Sequence, residues 1–77
     1  MVLDRREDFL YAVEVLERRV HEYCVNEQKD FETVRTYFRR AYESSATLPT
    51  STRMKTLKYN VFRTLNITES DLPMPRT

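Results

Sequence analysis

The chain has 77 residues, with three prolines and no glycine. Phosphate-binding loops, dinucleotide fingerprints, EF-hand loops and two-residue hairpins need glycine at positive φ or at a close ligand approach, so this composition argues against all of them. The single cysteine cannot form an internal disulfide, and a chain of this length buries only about 60% of its unfolded surface. We therefore expect one small domain that would gain stability from a partner subunit.

The net charge of +1 conceals an uneven distribution of charged residues. Residues 1–45 carry eight basic and ten acidic side chains, whereas residues 46–68 carry four basic side chains and no acidic one. A local basic segment of this kind is the compositional sign of an anionic partner, either a nucleic acid or an acidic protein.

The first segment predicts a helix near residues 4–25, with Asp4 as its N-cap. Its apolar residues recur at spacings of four and three and, at 100° per residue, fall within about 100° of arc. The residues on this stripe are Phe9, Val13, Leu16, Val20, Tyr23 and Cys24. Asn26 is predicted to end the helix in the left-handed conformation, because asparagine is the best substitute for glycine there.

Other apolar residues of the first segment lie off this stripe, namely Leu10, Tyr11, Val15 and Val25. The helix is therefore apolar around more than half of its circumference. Either two of its sides are covered within the monomer, or a partner covers the second side. On the opposite side, Glu14, Arg18 and Glu22 repeat every fourth residue, which predicts solvated ion pairing.

The second segment predicts a helix near residues 30–45, with Asp30 as its N-cap. Its apolar stripe does not continue the spacing of the first stripe, which indicates either a turn between two helices or a stutter in one long helix. We favour the turn, because a single helix over residues 4–45 would be about 63 Å long.

A break is predicted over residues 44–49, because the residue before Pro49 avoids the helical region. A third helix is predicted near residues 51–65, and Thr50, Ser51 and Thr52 compete as its N-cap. Asn66 is expected to end it in the left-handed conformation, with Ile67 packed back on the last turn. Residues 1–68 are thus predicted to form a single helical domain and residues 69–77 an extended C-terminal tail, with one more turn allowed over residues 68–71.

The predicted fold is all-α: a small three-helix bundle, or a helical hairpin with a third helix, which oligomerisation could complete. The predicted core and helix-seam residues share the apolar stripes of the three segments. They are Phe9, Val13, Leu16, Val20, Tyr23, Phe31, Val34, Phe38, Leu57, Val61 and Leu65.

The residue pattern does not favour a metal-binding or catalytic site. His21 and Cys24 stand three apart with no similar residues elsewhere in the chain, which are too few ligands for a metal. Nucleophilic catalysis needs an oriented base beside the nucleophile, and no such grouping is visible. We therefore expect no enzyme activity, no catalytic residue, no metal, no cofactor and no small-molecule substrate.

The predicted function is a non-enzymatic protein–protein interaction or oligomerisation module, such as a small accessory subunit of a larger complex. Large apolar residues off the stripes and tyrosines are the expected contacts, since tyrosine is enriched at interfaces. The candidate partner-binding residues are Leu10, Tyr11, Val15, Tyr37 and Tyr59.

The alternative function is nucleic-acid binding by the basic third helix, through Arg53, Lys55, Lys58 and Arg63. At 100° per residue these four cations spread over about 220°, which is too wide for one groove-facing stripe. Lys58 falls on the apolar side, where its stem would pack and its head would reach solvent. We therefore favour the protein partner.

Two acids near the N-terminus, Asp4 and Glu7, argue against a secretory signal. We expect an intracellular protein, cytoplasmic or nuclear, that is not secreted. The longest apolar run is far shorter than the roughly 20 residues of a membrane span, so no membrane partner is expected.

Overall fold

The computed structural model describes residues 5–43 and 49–74, with side chains from Asp8 onward. Three helices follow in chain order: α1 (Arg5–Asn26), α2 (Glu32–Glu43) and α3 (Thr50–Leu65). Each helix packs against the other two, and the described residues contain no strand. This confirms the predicted all-α three-helix bundle, with a turn between the first two helices. The predicted N-cap Asp4 and most of the predicted break lie outside the described residues.

One hydrophobic core lies between the three helices. Its buried residues are Phe9, Val13, Leu16, Val20, Cys24, Val34, Phe38, Leu57, Val61, Leu65 and Leu72. Nine of the eleven residues predicted for the core or helix seam are in this set. The other two, Tyr23 and Phe31, are partly buried and pack against its edge. Leu72 was missed because it lies beyond the predicted helical domain.

The turn after α1 is a Schellman motif built without glycine. Lys29 N–H donates to the Cys24 carbonyl at 2.8 Å, and Gln28 N–H donates to the Val25 carbonyl at 3.3 Å. The left-handed residue is Gln28, at φ 56°, and not the predicted Asn26. Asn26 is instead the last residue of α1, because the helix extends one residue beyond its predicted end before the chain reverses.

Asp30 lies just before α2 and caps its start with its side chain, as predicted. Its Oδ1 accepts from Glu32 N–H at 2.9 Å, and its carbonyl accepts from the Thr33 hydroxyl at 2.8 Å. The side chain thus satisfies one of the amides that a helix start leaves unpaired.

Helix α3 begins differently from the prediction. Pro49 is the N-cap, at φ −55° and ψ 145°, and its carbonyl accepts from Arg53 N–H at 3.1 Å. Thr50, Ser51 and Thr52 therefore lie in the first turn, and none of them caps it with a side chain. Proline already holds the extended conformation that an N-cap needs, so the helix can start directly after it.

The end of α3 matches the prediction. Asn66 is left-handed at φ 57° and ψ 47°, and Ile67 N–H donates to the Phe62 carbonyl at 3.0 Å. Ile67 packs against the core, as the Schellman ending requires.

The segment after α3 is not the extended tail that was predicted from residue 69. Glu69–Asp71 form a 3-10 helix, and Thr68 N–H donates to Asp71 Oδ2 at 2.8 Å. Leu72 then enters the core, 5% exposed, and the Pro73 carbonyl accepts from Arg19 Nε at 2.9 Å. Burial of the Leu72 side chain, the Thr68–Asp71 hydrogen bond and the hydrogen bond from Arg19 together explain the difference, since each offsets part of the cost of ordering this short segment. Residues 75–77 lie outside the described part of the chain.

Replacing Asn26, the last residue of α1, or Asn66, the left-handed residue after α3, by alanine should change the stability of the protein in opposite directions. Asn66→Ala is expected to lower the free energy of unfolding by about 1 kcal/mol, because alanine is strained in the left-handed conformation. Asn26→Ala is expected to raise it by about 0.5 kcal/mol, because Asn26 is helical and alanine has the higher helix propensity. Urea unfolding followed by circular dichroism measures both. A loss of stability in Asn26→Ala would contradict the assignment of Gln28 as the left-handed residue.

Leu72 should contribute to stability as a core residue. Leu72→Ala is expected to lower the free energy of unfolding by about 2 kcal/mol or more, because it leaves a cavity. Met74, which is 80% exposed, is the matched control, and Met74→Ala is expected to change stability by less than about 0.5 kcal/mol. Equal midpoints for the two variants in urea would show that the segment after α3 does not pack on the core.

Candidate interaction surface

The face of α1 that points away from the core carries a second repeat of four and three. We call the five residues at these positions the outer stripe: Tyr11, Val15, Arg18, Glu22 and Val25. At 100° per residue they fall within about 80° of arc, centred about 170° from the core stripe. The outer stripe is thus a narrow band along the back of the helix.

Two of the three apolar members of the outer stripe are poorly covered by the rest of the bundle. Tyr11 is 69% exposed and Val25 is 62% exposed, while Val15 is half-buried. Between them lies Arg18, whose Nη2 is 2.7 Å from Glu14 Oε1 in an exposed ion pair. This pair is part of the solvated series predicted from the spacing of Glu14, Arg18 and Glu22.

The five residues predicted to bind a partner do not form one patch. Leu10 and Tyr37 are partly buried and pack against the core. Leu10 falls about 100° from the centre of the outer stripe, on the flank of α1. Tyr11 and Val15 belong to the outer stripe, and Tyr59 lies 62% exposed on α3. Sequence reasoning thus found two of the five outer-stripe residues as partner contacts and placed Val25 off the core.

A shallow open groove with a volume of about 690 Å³ lies beside the outer stripe, between α1 and the start of α2. Val25, His21 and Phe31 contribute its apolar lining. The His21 ring meets Phe31 edge-on at 5.0 Å, and Phe31 stacks on Phe38 at 6.1 Å. These ring contacts fix the wall of the groove.

Glu17, on the same side of α1, accepts a hydrogen bond from the Tyr42 hydroxyl at 2.8 Å. Partial burial and this hydrogen bond to a carboxylate both raise the pKa of the Tyr42 phenol far above its ordinary value. The contact therefore ties α2 to α1 as long as the phenol stays protonated.

The basic residues of α3 do not form one surface. The Arg53 guanidinium lies 4.1 Å from the centre of the Phe9 ring, and Lys58 Nζ is 3.1 Å from Glu69 Oε1. Both residues are half-buried and hold the bundle together. Lys55 and Arg63 are exposed, and Arg63 lies over the Tyr59 ring at 5.9 Å.

The described residues contain no group of three metal-ligating side chains close enough to hold an ion. Cys24 is 1% exposed in the core, and burial raises the pKa of its thiol, as does nearby Asp30. The thiol is thus a packing group in its neutral form. Within residues 5–43 and 49–74, no helix is long and apolar enough to cross a membrane.

No family model, curated protein or solved structure matches the chain. Function is therefore inferred from the surface chemistry of the molecule itself.

The hydrogen bond between Tyr42 and Glu17 predicts a pH dependence of stability. Because the pKa of Tyr42 is raised in the folded state, the stabilisation is fully present below the unfolded value of about 10 and is lost as the pH rises above it. Tyr42→Phe is expected to lower the free energy of unfolding by about 0.5–1 kcal/mol at neutral pH. The deficit should shrink between about pH 10 and pH 12.

Urea midpoints of the wild type and Tyr42→Phe, measured across this pH range, test the expectation. Tyr59→Phe, on the exposed face of α3, is the control, and its urea midpoint should equal that of the wild type at each pH. A deficit that stays constant with pH would mean that the phenol proton is not involved.

Proposed function

We propose that the chain is a non-enzymatic protein-interaction module, or small accessory subunit, whose contact surface is the outer stripe of α1. The observation that carries this proposal is the exposure of Tyr11 and Val25 on the face opposite the core. The core face of α1 is already covered by α2, α3 and Leu72. Tyr11 and Val25 therefore remain available for a partner in the folded monomer.

Its chemistry supports a protein partner. A tyrosine and two valines at helical spacing offer apolar area, and tyrosine adds a hydroxyl that can hydrogen-bond at the rim. Arg18 and Glu22 between them supply opposite charges, which orient a partner more than they raise its affinity. A helix lying along this band would contact the apolar and charged positions together.

Nucleic-acid binding has less support from the same structure. Arg53 and Lys58 are engaged within the bundle, and Lys55 and Arg63 are the two cations of the predicted set that stay exposed. Two phosphate contacts would give weak binding with a shallow dependence on salt.

Photo-crosslinking tests the proposed surface. Tyr11 is replaced by p-benzoylphenylalanine in cells that make the protein, and Thr36, exposed on α2, is replaced in a matched control. Irradiation is expected to give protein adducts from position 11 and few from position 36, because contacts form along α1. The adducts are identified by mass spectrometry.

A second copy of the chain or a different protein would each support an interaction surface at position 11. Adducts of equal yield at the two positions, or none at position 11, would contradict the proposal. Adding Val25→Ser to the position-11 variant should reduce the yield, since it removes apolar area from the same band.

A further inference from the structure

We infer that the outer stripe pairs with the outer stripe of a second copy in an antiparallel dimer, in which residue i of one α1 faces residue 40 − i of the other. This inference rests on the proposed function of that surface and names its occupant. The inference is carried by the order of four residues along the stripe: Val15, Arg18, Glu22 and Val25. When a second copy runs in the opposite direction, each valine meets a valine and each arginine meets a glutamate.

The spacing makes the stripe suitable for helix pairing. Positions that alternate by four and three stay on one side of a helix and can form the seam of a two-helix contact. Val15 and Val25, near the two ends of this seam, are separated by about 15 Å along the helix axis. The seam lies within α1, a 22-residue helix whose opposite face is buried in the core.

The charges select the direction of pairing. In a parallel pair, each Arg18 would face the partner's Arg18, and each Glu22 would face the partner's Glu22, so like charges would meet at both positions. In the antiparallel pair, Arg18 faces the partner's Glu22 twice, and Val15 faces the partner's Val25 twice. Because the two-fold axis of the dimer repeats each contact, each favourable pairing occurs twice.

The charges also select the register. Sliding the antiparallel pair so that Tyr11 faces the partner's Val25 would bring the two Arg18 side chains together. The register in which residue numbers sum to 40 avoids this and keeps both valines in contact. In it, Tyr11 lies beside the end of the partner's α1, near the exposed Lys29.

The ion pair that Arg18 already makes does not oppose the dimer. Arg18 is 77% exposed in its pair with Glu14, and exposed ion pairs of this type are weak and exchange partners easily. A guanidinium has five donors, so Arg18 can bind Glu14 and the partner's Glu22 at once. Glu22 is half-buried on the same band.

The seam is small, so the dimer is weak. Five positions on each helix bury less than the roughly 1,200 Å² of a standard interface. Sedimentation equilibrium of the full chain from about 10 µM to about 1 mM, at low salt, covers the expected dissociation constants. The wild type is expected to pass from monomer to dimer across this range.

Charge reversal tests the register. Arg18→Glu and Glu22→Arg each turn two attractive contacts into repulsive ones and are expected to raise the dissociation constant about tenfold or more. The double variant Arg18→Glu/Glu22→Arg restores both contacts and is expected to lie within about threefold of the wild type. An equimolar mixture of the two single variants should also associate, because each supplies the charges that the other lacks.

Arg39→Glu and Glu43→Arg, on the exposed side of α2, are the matched controls for net charge and should dimerise like the wild type. Circular dichroism of dilute samples checks that each variant keeps its helices. Rescue by the double variant and by the mixture excludes misfolding as the cause of any loss.

A wild type that stays monomeric throughout would overturn the inference, as would reversals without effect or a mixture that fails to associate. The photo-crosslinking result separates this failure from failure of the proposed function. Adducts with a different protein at position 11, together with a monomeric chain, would retain the interaction surface and reject the second copy.

Discussion

The structure depends on the burial of one helix face by three separate pieces of chain. Helix α1 has 22 residues, more than the 12 of α2 or the 16 of α3, and the described residues contain neither a disulfide nor a group of three metal-ligating side chains that could reinforce the bundle. Leu72 supplies the cover that the two shorter helices do not. Arg19 holds this segment in place through the Pro73 carbonyl and Glu69, and Lys58 of α3 reaches the same Glu69. Three elements thus meet at one carboxylate on the rim of the core.

The lack of glycine shapes how these pieces are joined. Both described helix endings are Schellman turns, one with glutamine and one with asparagine in the left-handed position. Such residues accept this conformation at some cost, which the hydrogen bonds of the turn and the packing of Ile67 offset. The start of α3 relies on proline, whose fixed φ already suits an N-cap. The chain therefore reverses direction with side chains that also restrict its unfolded states.

Hydrophobic periodicity was enough to predict the three helices and most of the core, because each stripe has a consistent spacing and burial follows directly from it. The left-handed residue after α1 was misplaced by two positions, at Asn26 instead of Gln28, because asparagine and glutamine are both tolerated in this conformation and only the packing of the turn decides between them. The position of Leu72 was missed because a single leucine between prolines has no periodicity. Leu10 was assigned to a partner because a helical wheel gives direction but not the location of α2 and α3.

Helix α1 carries apolar residues on two faces, one buried in the core and one on which Tyr11 and Val25 are exposed. Its core face packs within the bundle, whereas its outer stripe places a basic and an acidic residue, Arg18 and Glu22, between Val15 and Val25. These four residues are complementary to the same four read in reverse. A purely apolar stripe would pair in many registers and both directions. With Arg18 and Glu22 in the middle of the stripe, a parallel pair and the shifted antiparallel register would each place like charges opposite one another, which disfavours both. A two-fold pairing of this kind is closed, so it ends at the dimer and does not propagate into fibres.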